Sequence, residues 1–392
     1  MKVEVNKDNK QKVKSNKLTG LAGVLAVSCV MFVAPVHAKI KFNTTAITGL
    51  DDNPHELSEP FGTLQEEFYQ ADFSLRADYD RTLYLIAGAE KALYINDDRA
   101  DRFKSNLELM VKSDFKIFGE KFKYKINAKQ KTNDETYVSK RTGLIATFGG
   151  QSIADRYDYS ITDYGARLSY KNDRDAVFAL RIEQRDKDYE DFTITNLDDL
   201  DYSQTLYAFD IDFNVDDTGK FFLETEYIER EYVDRRQVDL LGDDVLDTVL
   251  RYYYAQMSAG YLYRPDKQTR WKYTFHYSAR TDNGPGYYDS DYSYLSIYTK
   301  YEMATYHTLR ARLKFGVYTY DNRLDRDEIS LEDENKERVG GSIKIDYEWV
   351  LWTLFDSALG FYVELEAKNF DSTNADYTYQ RQKAAVGLRW TL

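Results

Sequence analysis

Beyond residue 38 the chain has three histidines, His55, His276 and His307, and no cysteine. A histidine beside a hydroxyl is where nucleophilic catalysis begins, and His276 stands two residues from Ser278. An acyl-transfer site also needs an orienting acid and an oxyanion donor, and no spacing in the sequence supplies them. Glu364 and Glu366 form a carboxyl pair at the same spacing, common on any polar strand face. Asp198-Asp199-Leu200-Asp201 and Asp243-Asp244 offer oxygens to a calcium ion, without the spaced ligands and fixed glycine of a calcium loop. No glycine-rich phosphate loop, Cys/His cluster or basic–aromatic nucleic-acid surface occurs. The expectation is a protein that is not an enzyme, with no catalytic residue, no cofactor, no metal site and no nucleic-acid partner.

The residues that do recur in a chemically useful pattern are basic. Lys121, Lys123, Lys125 and Lys129 form one row, Arg270 and Lys272 a second, and Arg310, Arg312 and Lys314 a third. Spaced by two, they share one face of an extended strand. Faces of this kind around a water-filled interior concentrate anions, because low-dielectric walls focus the field of the enclosed charges. These nine residues are the candidates for lumen-lining selectivity. In the alternative reading, lumen bases pair with acids of neighbouring strands and select nothing.

Strand-like alternation is what positions them. Phe122, Tyr124, Ile126 and Ala128 interleave with the first row; Trp271, Tyr273, Phe275, Tyr277 and Ala279 with the second; Leu309, Ala311, Leu313, Phe315 and Val317 with the third. Gln70–Tyr79 and Gln382–Leu392 repeat the pattern. A helical period would mix charges and rings on one face; a period of two separates them. Tight turns at Asp80-Arg81, Gly119-Glu120, 172–175, 216–219, 265–267 and 306–307 alternate with longer polar stretches near 50–66, 93–102, 131–159, 185–202, 232–248, 281–289, 320–337 and 369–377. Strands starting near 39, 67, 81, 103, 121, 160, 176, 203, 220, 249, 270, 290, 307, 338, 355 and 378 number about sixteen, and fourteen to eighteen fit the same pattern. Segment 141–149 falls within the third long loop. The predicted fold is all-β: an up-and-down antiparallel transmembrane barrel. One face of each strand meets lipid and the other a polar lumen, and no edge is left open. By strand parity the inward set also includes Arg251, Arg381, Lys383 and Arg389.

Residues 1–38 read as a secretory signal peptide, and 39–392 as the barrel. Six lysines precede an apolar stretch, Leu18–Val33, and Val36-His37-Ala38 fits a cleavage site. Acylation at Cys29 is the weaker alternative, since Ala26-Val27-Ser28 is a poor preceding pattern. The leader holds 6 lysines and 2 acids, so removing it takes the net charge from −13 to −13 − 4 = −17. The acids gather in the long loops, as in 51–66 and 320–337, either as solvated surface or as bridges through cations to lipopolysaccharide. Tyrosine is abundant, at 35 residues, and its apolar ring with a wet tip suits the two headgroup belts of a barrel.

On these residues the chain resembles Gram-negative outer-membrane β-barrels of porin type, over essentially all of 39–392. Gln382–Leu392 is similar to the terminal strand shown to the insertion machinery, although it ends in Leu392 with Trp390 two positions earlier. The long loop 131–159, with Phe148-Gly149-Gly150, is similar to a porin loop that folds into the lumen. Thr48-Gly49-Leu50-Asp51-Asp52-Asn53-Pro54 resembles the entry segment of β-barrel porins found beside exopolysaccharide genes. The resemblance implies a passive outer-membrane channel for small, hydrophilic, anionic solutes. The alternative is a conduit exporting an extracellular polysaccharide. Implied partners are outer-membrane lipid and lipopolysaccharide, the insertion machinery, and a small solute or polysaccharide, with the oligomeric state left open.

Overall fold

The computed structural model describes residues 38–392 except 59–64, 141, 191–193, 195–196, 198, 326–333 and 355; the expected leader, 1–38, lies outside the described residues but for Ala38. Eighteen strands follow in order: β1 Ala38–Asp51, β2 Glu66–Tyr79, β3 Leu83–Tyr94, β4 Arg102–Ile117, β5 Glu120–Glu135, β6 Thr147–Phe148, β7 Gln151–Ser152, β8 Tyr159–Lys171, β9 Val177–Tyr189, β10 Tyr202–Asn214, β11 Gly219–Tyr232, β12 Arg251–Tyr263, β13 Thr269–Asp282, β14 Ser290–Ala304, β15 His307–Asp325, β16 Glu334–Leu354, β17 Ser357–Ser372 and β18 Tyr379–Thr391. The two-residue strands β6 and β7 pair only with each other, inside the β5–β8 loop. The other sixteen form one closed antiparallel barrel in which β5 pairs with β8 and β18 returns to β1.

Sequence pattern and turn chemistry explain this meander. Between β4 and β5, Phe118 and Gly119 both have positive φ, 52° and 88°. Two consecutive left-handed residues make the tight hairpin turn whose twist matches its strands. Closure comes at the β1–β18 seam, where Ile47 faces Gly387 and Gly49 faces Ala385. A Cβ on Gly387 would stand 2.0 Å from the Ala46 carbonyl oxygen, so only glycine allows this approach.

All sixteen barrel strands begin within four residues of the sequence expectation, and 141–149 does lie in the third long loop. The strands run further than expected at the loop end: β9 continues to Tyr189 and β15 to Asp325, shortening the loops after them. Their polar outer segments read as loop because beyond the hydrocarbon the outward face needs no apolar residues.

The outer face carries the apolar residues. Phe275, Leu295 and Phe315 stand directly opposite one another on β13, β14 and β15, all exposed. At the short-turn end a belt of rings circles the barrel: Phe42 against Phe73 and Trp390, Phe115 against Phe122, Phe122 against Tyr170, Phe213 against Phe221, Trp271 against Tyr273, and His307 against Trp349. An apolar band edged by an aromatic girdle on a closed barrel is the surface of a membrane-spanning protein. Many tyrosines depart from the expected belts, however. Tyr202, Tyr232, Tyr252 and Tyr254 pack together on the inner face, and Tyr292, Tyr318 and Tyr320 lie near them.

Candidate functional site

Strand parity places all nine candidate bases on the inner face. On β5 the rings of Phe122 and Tyr124 pack outside, so Lys121, Lys123, Lys125 and Lys129 point inward. On β13 Trp271 and Tyr273 lie outside and Arg270 and Lys272 inside; on β15 Leu313 and Phe315 lie outside and Arg310, Arg312 and Lys314 inside. Antiparallel pairing then extends the rows across the sheet. Arg270 stands opposite Lys300, which stands opposite Arg310; the next row runs Lys272, Tyr298, Arg312 and Lys344.

Like charges directly opposite one another are unfavourable, and acids relieve only part of this wall. Lys300 binds Glu302 at 2.5 Å. Arg310 donates to Glu348 at 2.8 Å, and Arg389 reaches the same carboxylate at 3.1 Å. Lys121 pairs with Asp114, and Lys125 lies 3.8 Å from Glu108. Among the described residues, Lys123, Lys129, Arg270, Lys272, Arg312 and Lys314 have no carboxylate within 4 Å. Three of these lie over rings instead: Lys272 over Phe222 at 4.7 Å, Arg312 over Tyr298 at 5.8 Å and Lys314 over Tyr294 at 3.9 Å.

The β8–β11 wall is different. Arg181 binds Glu224 at 2.6 Å, Glu183 at 3.5 Å and also Glu226; Arg167 binds Asp210 and Arg185 binds Asp163. There the interior is filled by pairing, as the alternative reading of the lumen expected. Glu364, read from sequence as an unremarkable neighbour of Glu366, is a hub that accepts from Lys344 at 2.8 Å and Lys383 at 3.0 Å. Arg251, expected inside, lies on the outer face beside exposed Glu231, because Tyr252 and Tyr254 take the inner positions of β12. His276 is inside, but its Nδ1 bonds Ser258 on β12 at 2.8 Å, while Ser278 receives the amide of Gln256. Pairing across strands, invisible in sequence, displaced the i, i+2 neighbour.

A second set of inner bases is seated on tyrosine, and strand parity had given an inward place to Arg280 alone among them. Arg230 lies 4.3 Å from the Tyr202 ring, Arg235 5.1 Å from Tyr288, Arg280 4.8 Å from Tyr252, and Lys187 3.6 Å from Tyr159. The alternating tyrosines of Tyr252/Tyr254, Tyr292/Tyr294 and Tyr318/Tyr320 carried this signal: both members of each pair share a face with a base.

The long loop after β5 turns inward. The backbone N–H of Ser58 donates to the Lys140 carbonyl at 3.2 Å, and Arg99 Nη1 donates to the Gly143 carbonyl at 2.6 Å. The Lys140 ammonium lies 5.4 Å from the ring of inward Tyr379 and 3.8 Å from Glu56. Leu57, Val138, Ala146 and Ile153 are buried, whereas Lys140 stays partly exposed. Phe148, Gly149 and Gly150 form the exposed tip of the β6–β7 hairpin. The acidic 51–66 stretch is thus partly internal: Asp51 is 0% exposed and doubly bonded by Arg381. Burial raises the Glu56 carboxyl, but Lys368, Lys140 and Arg381 outweigh it and hold the group down at about 2. Asp158, at the far end of the loop, is pushed up to about 7 by burial, with Asp134, Asp155 and Glu135 adding to the rise against a backbone hydrogen bond from Glu135.

No family model matches the sequence, and no curated protein matches it. Among solved structures the chain is similar to OccAB1 of Acinetobacter baumannii, with 7% identity, 91% of this chain and 97% of that one covered, and a TM-score of 0.45. It is similar to OprD of Pseudomonas aeruginosa, at 11% identity, 91% and 95% coverage and a TM-score of 0.42. It is also similar to a loop-deleted OmpT, an outer membrane protein of Vibrio cholerae, at 13% identity, 91% and 99% coverage and a TM-score of 0.41.

Proposed function

We propose that the chain forms a water-filled channel across a bacterial outer membrane, passing small hydrophilic solutes passively and preferring anions. The uncompensated bases of β13 and β15 carry this reading: Arg270, Lys272, Arg312 and Lys314 face the lumen without a carboxylate within 4 Å among the described residues. Bases held in a narrow aqueous space between low-dielectric walls raise the local anion concentration and repel cations. Lys123 and Lys129 extend the same field around the β5 wall, whereas the paired β8–β11 wall contributes little net charge. The inward loop narrows the mouth above. Lipid covers the apolar band and lipopolysaccharide the loop end. Residues 1–38 direct the chain through the periplasm, where the insertion machinery receives β18.

Reversal potentials across a KCl gradient in planar bilayers test the proposal. The wild-type channel should give a potential of the sign set by chloride permeation. The triple substitution R310E/R312E/K314E should move it toward or past zero. A potential unchanged by the substitutions would refute selection by this wall.

A further inference from the structure

The mixed-charge interior of β8–β11 contrasts with a cavity of about 480 Å³ on the inner face of β14–β17, toward the loop end. Among the described residues its lining holds four cations, Lys314, Arg323, Lys336 and Arg338, and no carboxylate. It also holds the rings of Tyr318, Tyr320 and Phe370. Each cation lies against a ring: Lys314 5.5 Å from Tyr292, Arg323 5.3 Å from Tyr320, Lys336 3.8 Å from Tyr377 and Arg338 4.3 Å from Phe370. The Arg338 Nε is buried and has no hydrogen-bond acceptor among the described residues.

Glycine makes the space. Gly316 and Gly340 stand opposite each other on β15 and β16. A Cβ on Gly340 would come within 2.6 Å of the Phe370 ring, and one on Gly316 within 3.4 Å of the Tyr292 ring. With no side chain on either glycine, both rings lie close over the strands and stay half-buried.

We propose that this cavity is a binding site for an acidic oligosaccharide, a short chain of uronic acid residues, on its way through the channel. Three features together select that class. Flat ring faces accept the C–H faces of pyranose rings. Arginine forks and ammonium groups bind carboxylates spaced along a chain, where a single small anion engages only one of them. The described lining offers no acid to a cationic sugar and leaves neutral ones without charged contacts. The inference rests on the anion-preferring channel and adds to it a site where solute is retained.

Block of the reconstituted channel by trigalacturonate, galacturonate and maltotriose, together with KCl reversal potentials, provides the test. Trigalacturonate should interrupt the wild-type current at concentrations at least about tenfold below either of the others. R323Q/R338Q, which removes both guanidinium charges and keeps polar side chains, should weaken that block about tenfold or more. Y318L/Y320L, which leaves every charge in place, should weaken it as well without moving the reversal potential. Equal block by trigalacturonate and maltotriose, or by trigalacturonate and galacturonate, overturns the site. So does block that survives both double substitutions. An anion-selective channel without trigalacturonate block rejects the site alone, whereas loss of anion selectivity in the wild type rejects the channel reading itself.

Discussion

At the scale of single residues, the environment of each charge decides its part. Arg381 and Asp51 form a pair within the β1–β18 seam, 7% and 0% exposed at their side chains. The Tyr94 hydroxyl donates to the second oxygen of Asp51 at 3.0 Å. Removing one partner of such a pair strands the other's charge away from water. Arg381→Ala should therefore destabilise the barrel by about 3–5 kcal/mol, read as a fall in the urea midpoint for unfolding in detergent. Lumen bases that lie against rings at the water's edge, such as Lys314, have no such buried counter-charge. Lys314→Ala should shift ion selectivity and leave that midpoint nearly unchanged.

At the scale of elements, the loop between β5 and β8 is the part that departs from a simple hairpin. It is tied to the β1–β2 loop through Ser58 and Glu56, and it ends at Asp158 beside Asp134, Glu135 and Asp155. A carboxyl whose folded-state value is raised favours folding when protonated. That stabilisation is complete below the ordinary 3.8 and is lost as pH rises to about 7, above which the loss is constant. The expected outcome is firmer loop packing at pH 5.5 than at 7.5. Hydrogen exchange over 136–158, corrected for intrinsic rates, should rise between those values in the wild type. In Asp158→Asn, which keeps an acceptor for the Glu135 N–H, the rise should vanish. Glu56, held at about 2, stays ionised across this range and serves as a fixed control.

At the scale of the whole molecule, the period of two sorts every strand between hydrocarbon and water. Leu295 and Ser296 are adjacent on β14 yet face opposite solvents, Leu295 in the outer row with Phe275 and Phe315, and Ser296 opposite Lys314. Leu295→Arg should cost about 2–4 kcal/mol of folding stability in lipid vesicles, the penalty of a base near the bilayer midplane. Ser296→Arg should fold normally and strengthen anion preference. Equal tolerance of the two would mean that the exposed apolar row does not meet lipid.

Alternation and turn residues are enough for the class of fold, a count of about sixteen strands and the inward set of β5, β13, β15 and β18, because a pleated strand cannot change which side a residue faces without a bulge. What stayed hidden depends on register and on distance across the ring. Sequence could not show that Ser258 takes His276, that Glu364 holds two lysines, or that Arg251 yields the inner face of β12 to Tyr252 and Tyr254. It pointed to a loop that enters the lumen, but not to the meeting of Glu56 and Tyr379 with Lys140. Tyrosine misled most, since one side chain serves equally at a lipid headgroup belt and under a lumen arginine, and only the closed barrel distinguishes the two surroundings. Local pattern governs which way a side chain points; closure of the ring, which joins residues hundreds of positions apart, governs what it meets there.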